Sequence, residues 1–220
     1  MILCGVDGCS RGWVFALKNG SKIHIGAVKS LERILSFSDL VVVDIPIGLL
    51  SEPREVNGRK TTMRLCDEIV RKIVGVPSSV IPPPTLQMLR ERSYEDIKRK
   101  YGIGIPKQMF FLFPKIREAR KLFLKYGKIL VEGHPEASFT LMKGEKLHSK
   151  HKDIGIVERK RLLEDYLNDL KLDDVEVNFK MDDVFDALAM LWTAQREASG
   201  KAVEFGEGVD TQGIPMIIHA

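Results

Sequence analysis

Met181-Asp-Asp-Val-Phe-Asp-Ala-Leu-Ala-Met-Leu-Trp-Thr-Ala-Gln195 is the stretch on which the reading of this chain turns. On a helical wheel Val184, Phe185, Ala187, Leu188, Met190, Leu191 and Trp192 cover most of the circumference, the pattern of a helix packed on several sides. A carboxylate on such a helix must be paired, protonated or bound to a cation, because an unpaired buried charge is strongly destabilising. Asp182, at the start, is expected to be an N-cap. Asp186 lies one turn from both Asp182 and Asp183, so like charges crowd one end of the helix. Such crowding calls for a metal ion or a basic residue. A solvated or salt-bridged acid on a helix edge is the competing reading of Asp186 taken alone.

A length of 220 residues with 44% hydrophobic content suits one globular domain, 1–220, large enough to carry an insertion. Met1 to Gly8 has no basic leader, and no segment approaches the roughly 20 apolar residues a membrane helix needs, so a cytoplasmic protein without a membrane partner is expected. Cys4, Cys9 and Cys66 are odd in number and form no C-x-x-C pair, which argues against a disulfide framework and a structural zinc site. They read as small core residues. The net charge of +4 does not by itself mark a nucleic-acid binder.

Ile2 to Asp7 is a short apolar strand that delivers a carboxylate at its end, before Gly8. Trp13 to Leu17 and Lys22 to Val28 flank Asn19-Gly20, a strong hairpin signal, so the chain opens as a three-stranded antiparallel meander. Ser30 to Phe37 reads as a brief helix capped by Ser30. Leu40 to Ile47, LVVVDIPI, is the continuous apolar run of a strand buried on both faces in a parallel arrangement, and it carries Asp44. Strand, strand, strand, helix, strand, with acids in the first and fourth strands, is a restrictive pattern.

Residues 49–127 read as a helical cap inserted between core strands, since the segment is longer than a crossover helix needs. Helices are expected at Thr61 to Val74, Ser93 to Tyr101 and Lys107 to Tyr126, with Ser78 to Pro84 extended. Arg90, Arg92, Lys98, Arg99, Lys100, Lys107, Lys115, Arg117, Arg120 and Lys121 make this cap the most plausible docking surface for a polyanion. Each could equally be an ordinary solvated side chain. Lys128 to Glu132 returns to strand and ends on a third acid, with His134 and Glu136 in the loop beyond; a histidine there is more often a capping or supporting residue than a ligand. Lys143 to Lys152 reads as a solvated basic connection despite His148 and His151, Glu158 to Leu170 as an amphipathic helix, and Ile214 to Ile218 as a last strand.

Asp7 and Asp44 on neighbouring strands would point to one rim, where the helix adds Asp183 and Asp186. Four acids converging there call for hard divalent cations, Mg²⁺ or Mn²⁺, and a pair of ions about 4 Å apart would suit phosphodiester hydrolysis. A different class stays open: a non-hydrolytic nucleotide or phosphometabolite binder of the actin and sugar-kinase type, in which a strand-one Asp-Gly also handles phosphate. The absence of a repeated second half and of a further Gly-rich phosphate loop argues against it.

The segments GVDGCSRGW, VVVDIPIG, RLCDE, SSVIPPP, GIPKQ, PKIRE, VEGHPEASF, DDVFDALA and GIPMII, in that order, resemble a domain-of-unknown-function family of predicted RNase H-like nucleases. Asp183 to Ala189 also resembles the last-helix signature of the RuvC-type Holliday-junction resolvases. The resemblance implies an α/β RNase H-like fold, a mixed five-stranded sheet of meander plus parallel strands with flanking helices. It implies Asp7 as the first-strand acid, Asp44 or Glu132 as the second, and Asp183 and Asp186 as the last. It also implies nucleic acid as partner, with substrate contacts at Ser78, Ser79, Lys107, Gln108, Lys115, Arg117, His134 and Glu136. Pro106 and Ser10-Arg11 depart from the family's usual residues. The type of nucleic acid and the oligomeric state stay open, a homodimer being the first to test.

Overall fold

Asn19-Gly20 folds back β2 (Gly12–Asn19) onto β3 (Lys22–Val28), with Gly20 at φ 61° as the tight turn requires. With β1 (Ile2–Cys9) these strands make the antiparallel meander. The computed structural model describes residues 1–167 and 180–220. Ser30 Oγ accepts the Glu32 N–H at 3.3 Å and starts α1 (Leu31–Leu35), after which β4 (Leu40–Asp44) pairs parallel to β1.

The chain divides into two units. The first comprises Met1–Ile45, Tyr126–Glu204 and His219–Ala220 and holds a five-stranded mixed sheet in the order β3-β2-β1-β4-β7, where β7 is Leu130–Glu132. Its two pairings on the meander side are antiparallel, and β1-β4 and β4-β7 are parallel. The flanking helices are α6 (Pro135–Lys143), α7 (Asp153–Tyr166) and α8 (Met181–Ala198). α8 lies on β1, β2 and β4, and every residue from Val184 to Ala194 is buried. Gly5 explains how close it comes: a Cβ there would sit 2.0 Å from the Leu191 nitrogen and 2.2 Å from the Ala187 oxygen. Leu3, Val14, Ala16 and Val42 join Leu188 and Leu191 in the core between sheet and helix.

The second unit, Pro46–Lys125 and Phe205–Ile218, takes in a stretch near the C-terminus as well as most of the expected cap. It contains the β5 (Arg54–Val56) and β6 (Arg59–Thr61) hairpin, α2 (Leu65–Val74), α3 (Tyr94–Tyr101), α4 (Lys107–Phe111) and most of α5 (Phe113–Tyr126). Single turns of tighter helix lie at Pro77–Ser79 and Met88–Arg90. β8 (Glu204–Val209) and β9 (Pro215–His219) form a two-stranded ribbon.

Several sequence expectations need correction. The helix expected from Thr61 begins at Leu65, because Asn57 and Gly58, at φ 51° and 72°, turn the preceding residues into a hairpin. The helix expected over Lys107 to Tyr126 breaks at Leu112: Pro114 has no N–H to continue the ladder and instead sits in the first turn of α5. Ser78 and Ser79 lie in a short helical turn, where a leading Pro77 is tolerated, and not in extended chain. Gly127–Ile129 is a helical turn that delays β7 to Leu130. Glu136 belongs to the first turn of α6 and not to a loop, while His134 is the extended residue that caps it. α7 starts at Asp153 and ends by Leu167; Asn168 to Leu170, expected to extend it, lie outside the described residues.

Candidate active site

Asp7 and Asp44 are direct register partners in the parallel β1-β4 pair, so the two carboxylates leave the sheet on one face at the strand ends. That is the face of Leu3, Gly5 and Val42, on which α8 packs. Glu132 pairs with Val43, one position earlier, and so occupies the alternate face of the sheet. The first turns of α8 then bring Asp183 and Asp186 to the same end. Asp7 and Asp186 are each 8% exposed and Glu132 6%, whereas Asp44 and Asp183 keep an edge open to solvent.

The electrostatics show how crowded these acids are. Asp7 is pushed well above the ordinary carboxylate range, first by burial and then by Asp44, Asp186 and Asp183, with the Gly8 N–H opposing. Asp44 is pushed up to about 7, again by burial first; Lys150 opposes the shift, and Glu132 and Glu136 add to it. Asp186 rises to about 7 from burial and the Asp44 charge, held back by Lys150. Burial raises Asp183 too, with Lys180 opposing and Asp182 adding. Two of the four site acids thus titrate near neutrality, and each responds to charges carried by other elements.

Lys150 stands outside the expected site, in a stretch whose composition reads as a solvated loop. Its Nζ donates to Asp186 Oδ2 at 3.1 Å. Burial alone would lower the ammonium's pKa, but Asp186, Glu136 and Asp44 more than offset this and hold it above the ordinary lysine value. The loop that carries it is fixed from α7. Glu158 accepts the His148 N–H at 2.9 Å and meets the His148 ring at 2.9 Å, while Arg159 Nη1 donates to the His148 carbonyl at 3.0 Å. The Ser149 carbonyl packs so tightly on Gly155 that a Cβ there would lie 2.2 Å away.

The remaining expected residues fall into distinct roles. His134 caps α6, its Nδ1 accepting the Ala137 N–H at 3.4 Å. Glu136 is buried and held by Arg159 through contacts of 2.6 and 3.3 Å, so its oxygens are already occupied. Asp182 is exposed in the first turn of α8 and is not its cap; Lys180 stands at that position without a side-chain cap bond. In the second unit Lys107 and Gln108 are exposed on α4, Ser78 is exposed, and Ser79 Oγ donates to the Val76 carbonyl at 2.6 Å. Lys115 is half-buried, and Arg117 Nε donates to the Leu89 carbonyl at 3.0 Å while its guanidinium lies 5.7 Å from the Phe113 ring centre. Arg120 leaves the expected docking surface: it is buried, and its Nη1 meets Asp210 Oδ2 at 2.7 Å.

The donor chemistry of Asp7, Asp44, Asp183 and Asp186, hard carboxylate oxygens with too little positive charge around them, fits Mg²⁺ or Mn²⁺. Among the described residues no three His, Cys, Asp or Glu side chains converge closely enough to form a ready cage. The cation that reaches in among the acids is the Lys150 ammonium.

A family model described as protein of unknown function (DUF429) matches residues 5–211. The chain belongs to that family. The matched span includes Asp7, Asp44, Glu132, Lys150, Asp183 and Asp186, and the family description gives none of them a role. No curated protein and no solved structure matches the chain. No described helix is long and apolar enough to cross a membrane.

Proposed function

We propose that this protein is a divalent-metal-dependent nuclease built on an RNase H-like fold, in which Asp7, Asp44, Asp183 and Asp186 hold Mg²⁺ or Mn²⁺. The observation that carries the reading is the register pairing of Asp7 with Asp44 under the acidic end of α8, with burial first and like charge after it raising the pKa of Asp7, Asp44 and Asp186. Buried acids left short of countercharge cost stability, and a protein that keeps them has a use for the charge. Asp44 rather than Glu132 serves as the second acid, because Glu132 lies on the alternate face. Divalent cations, when bound, supply activation of a water and stabilisation of the leaving oxygen in phosphodiester hydrolysis. The chain's own part is to hold the carboxylates at the strand ends, with α8 seated on Gly5 fixing Asp183 and Asp186 above them. Exposed Arg90, Arg92, Lys98, Lys107 and Lys121 in the second unit offer contacts for nucleic-acid phosphates.

With Mn²⁺ or Mg²⁺ the purified protein should cleave some member of a panel of single strands, duplexes, RNA–DNA hybrids, flaps and four-way junctions. Asp7→Asn and Asp186→Asn should each lower that cleavage by about 10³-fold or more while far-UV circular dichroism stays unchanged. Cleavage that survives both substitutions would sink the proposal. Stabilisation by an Mg²⁺-nucleotide with no cleavage of any panel member would replace it with the binder reading.

A further inference from the structure

Taken as ionised, the four acids on the α8 face, Asp7, Asp44, Asp183 and Asp186, carry four negative charges; Glu136 is balanced by Arg159, and Glu132 acts on Asp44 from the alternate face. Lys150 brings the cluster to a net of minus three. One divalent ion would leave minus one. A second would leave the cluster positive while the lysine stays. Without the lysine, two divalent ions would balance the four acids.

Whether the lysine stays depends on its anchoring. An ordinary surface lysine reaches an acid from a mobile backbone and leaves easily. The Lys150 backbone is tied on both sides: His148 is bonded through its N–H, ring and carbonyl to Glu158 and Arg159, and the Lys152 N–H donates to the Ser149 carbonyl at 3.0 Å. Arg159 is itself locked to Glu136 on α6 and to the Gly155 carbonyl at 2.8 Å. A network spanning α6, α7 and the loop therefore delivers one ammonium to Asp186, a role that a solvated connection would not need.

We infer that Lys150 is a permanent cation of the acid cluster, so that the four carboxylates bind a single divalent ion beside its ammonium. The inference rests on the metal-dependent reading of the site and replaces the pair of ions that four acids alone would suggest. Lys150 acts here as a positioning residue: it sets how many ions the carboxylates take and holds Asp186.

The test counts Mn²⁺ bound per chain by electron paramagnetic resonance and titration calorimetry, with no nucleic acid present. The wild-type protein and Lys150→Arg should bind one ion. Lys150→Met and Lys150→Gln, which keep most of the stem and remove the charge, should bind two, the first about tenfold tighter than in wild type. Thermal unfolding of each variant checks that it is folded, and either neutral variant suffices. Two ions or none in the wild type would overturn the inference, as would an unchanged count in the neutral variants. Cleavage by a protein that binds two ions removes this inference and leaves the nuclease reading standing. One bound ion with no polymer cut does the reverse.

Discussion

Each unit of this chain buries charge, and only the first leaves part of it short of partners. In the second unit every buried charge among the described residues is matched. Arg64 meets Asp67 at 2.6 and 3.0 Å and donates to the Gly48 carbonyl at 2.7 Å. Arg120 meets Asp210, whose carboxylate also accepts the N–H groups of Gln212 and Ile214 at 2.8 and 3.1 Å and that of Leu49 at 3.3 Å. In the first unit Glu136 is likewise matched by Arg159, but Asp7, Asp44, Asp183 and Asp186 gather near one half-buried lysine, and Asp7 and Asp186 respond to the charge of other acids in that set. Matched pairs hold a chain in place. Unmatched acids leave charge that the fold itself does not balance.

The largest effect should come from unbalancing a matched pair. Arg120→Met removes the guanidinium from Asp210 and leaves a buried carboxylate without a counterion, which should cost about 3–5 kcal/mol in denaturant unfolding. Adding Asp210→Asn removes the orphaned charge while keeping an oxygen for the Gln212 and Ile214 N–H groups at the cost of the longer Leu49 bond, so the double variant should recover at least about half of the loss. A double variant no more stable than Arg120→Met would mean that packing of the arginine, and not charge balance, holds this region.

The same contrast separates the residues whose places in the fold are legible in the sequence from those whose places are not. Asp7 and Asp44 are legible because each interrupts an apolar run at its end, and the hydrophobic period of the last helix places Asp183 and Asp186. The meander is legible from Asn19-Gly20. Asn57-Gly58 carries the same signal, but its strands are only three residues each, too short to display alternation. Lys150 cannot be found this way. It sits among Lys143, Lys146 and Lys152 in a stretch with the composition of a solvated loop, and only Glu158, Arg159 and Gly155, brought in by α7, single it out. Arg120 misleads for the matching reason: it shares its helix with Lys115, Arg117, Lys121 and Lys125, and nothing local separates the buried cation from its neighbours.

A smaller effect of opposite sign is expected at the unmatched acids. Asp44 has its pKa raised from 3.8 to about 7 in the folded protein, so between those values the native state holds a proton that the unfolded chain releases. This contribution to stability is fully present below about pH 4 and is lost as pH rises through about 7. In EDTA, Asp44→Asn should therefore be more stable than wild type by about 1.5 kcal/mol at pH 8 and no more stable at pH 4. Added Mg²⁺ should reverse the order at pH 8, because only the wild type gains the full set of oxygens for the ion. An Asp44→Asn protein that matches wild type at both pH values would place this acid with the balanced pairs.

The smallest effect comes from a pair with the same residue types and spacing as Arg64 and Asp67. Asp96 and Arg99 also lie three residues apart on a helix and form an ion pair, but the Arg99 side chain is 75% exposed against 2% for Arg64. Water already solvates both partners there, so attraction is screened and little is lost when the pair is broken. Asp96→Asn should shift unfolding by no more than about 0.5 kcal/mol, and that shift should shrink further between about 0.05 and about 0.5 M salt as screening rises. A loss as large as that of Arg120→Met would show that pairing itself, irrespective of burial, stabilises the second unit. A loss within the small range leaves burial as the variable that separates pairs that hold the chain from pairs that decorate it, which is the same variable that makes the unmatched acids of the first unit costly to keep.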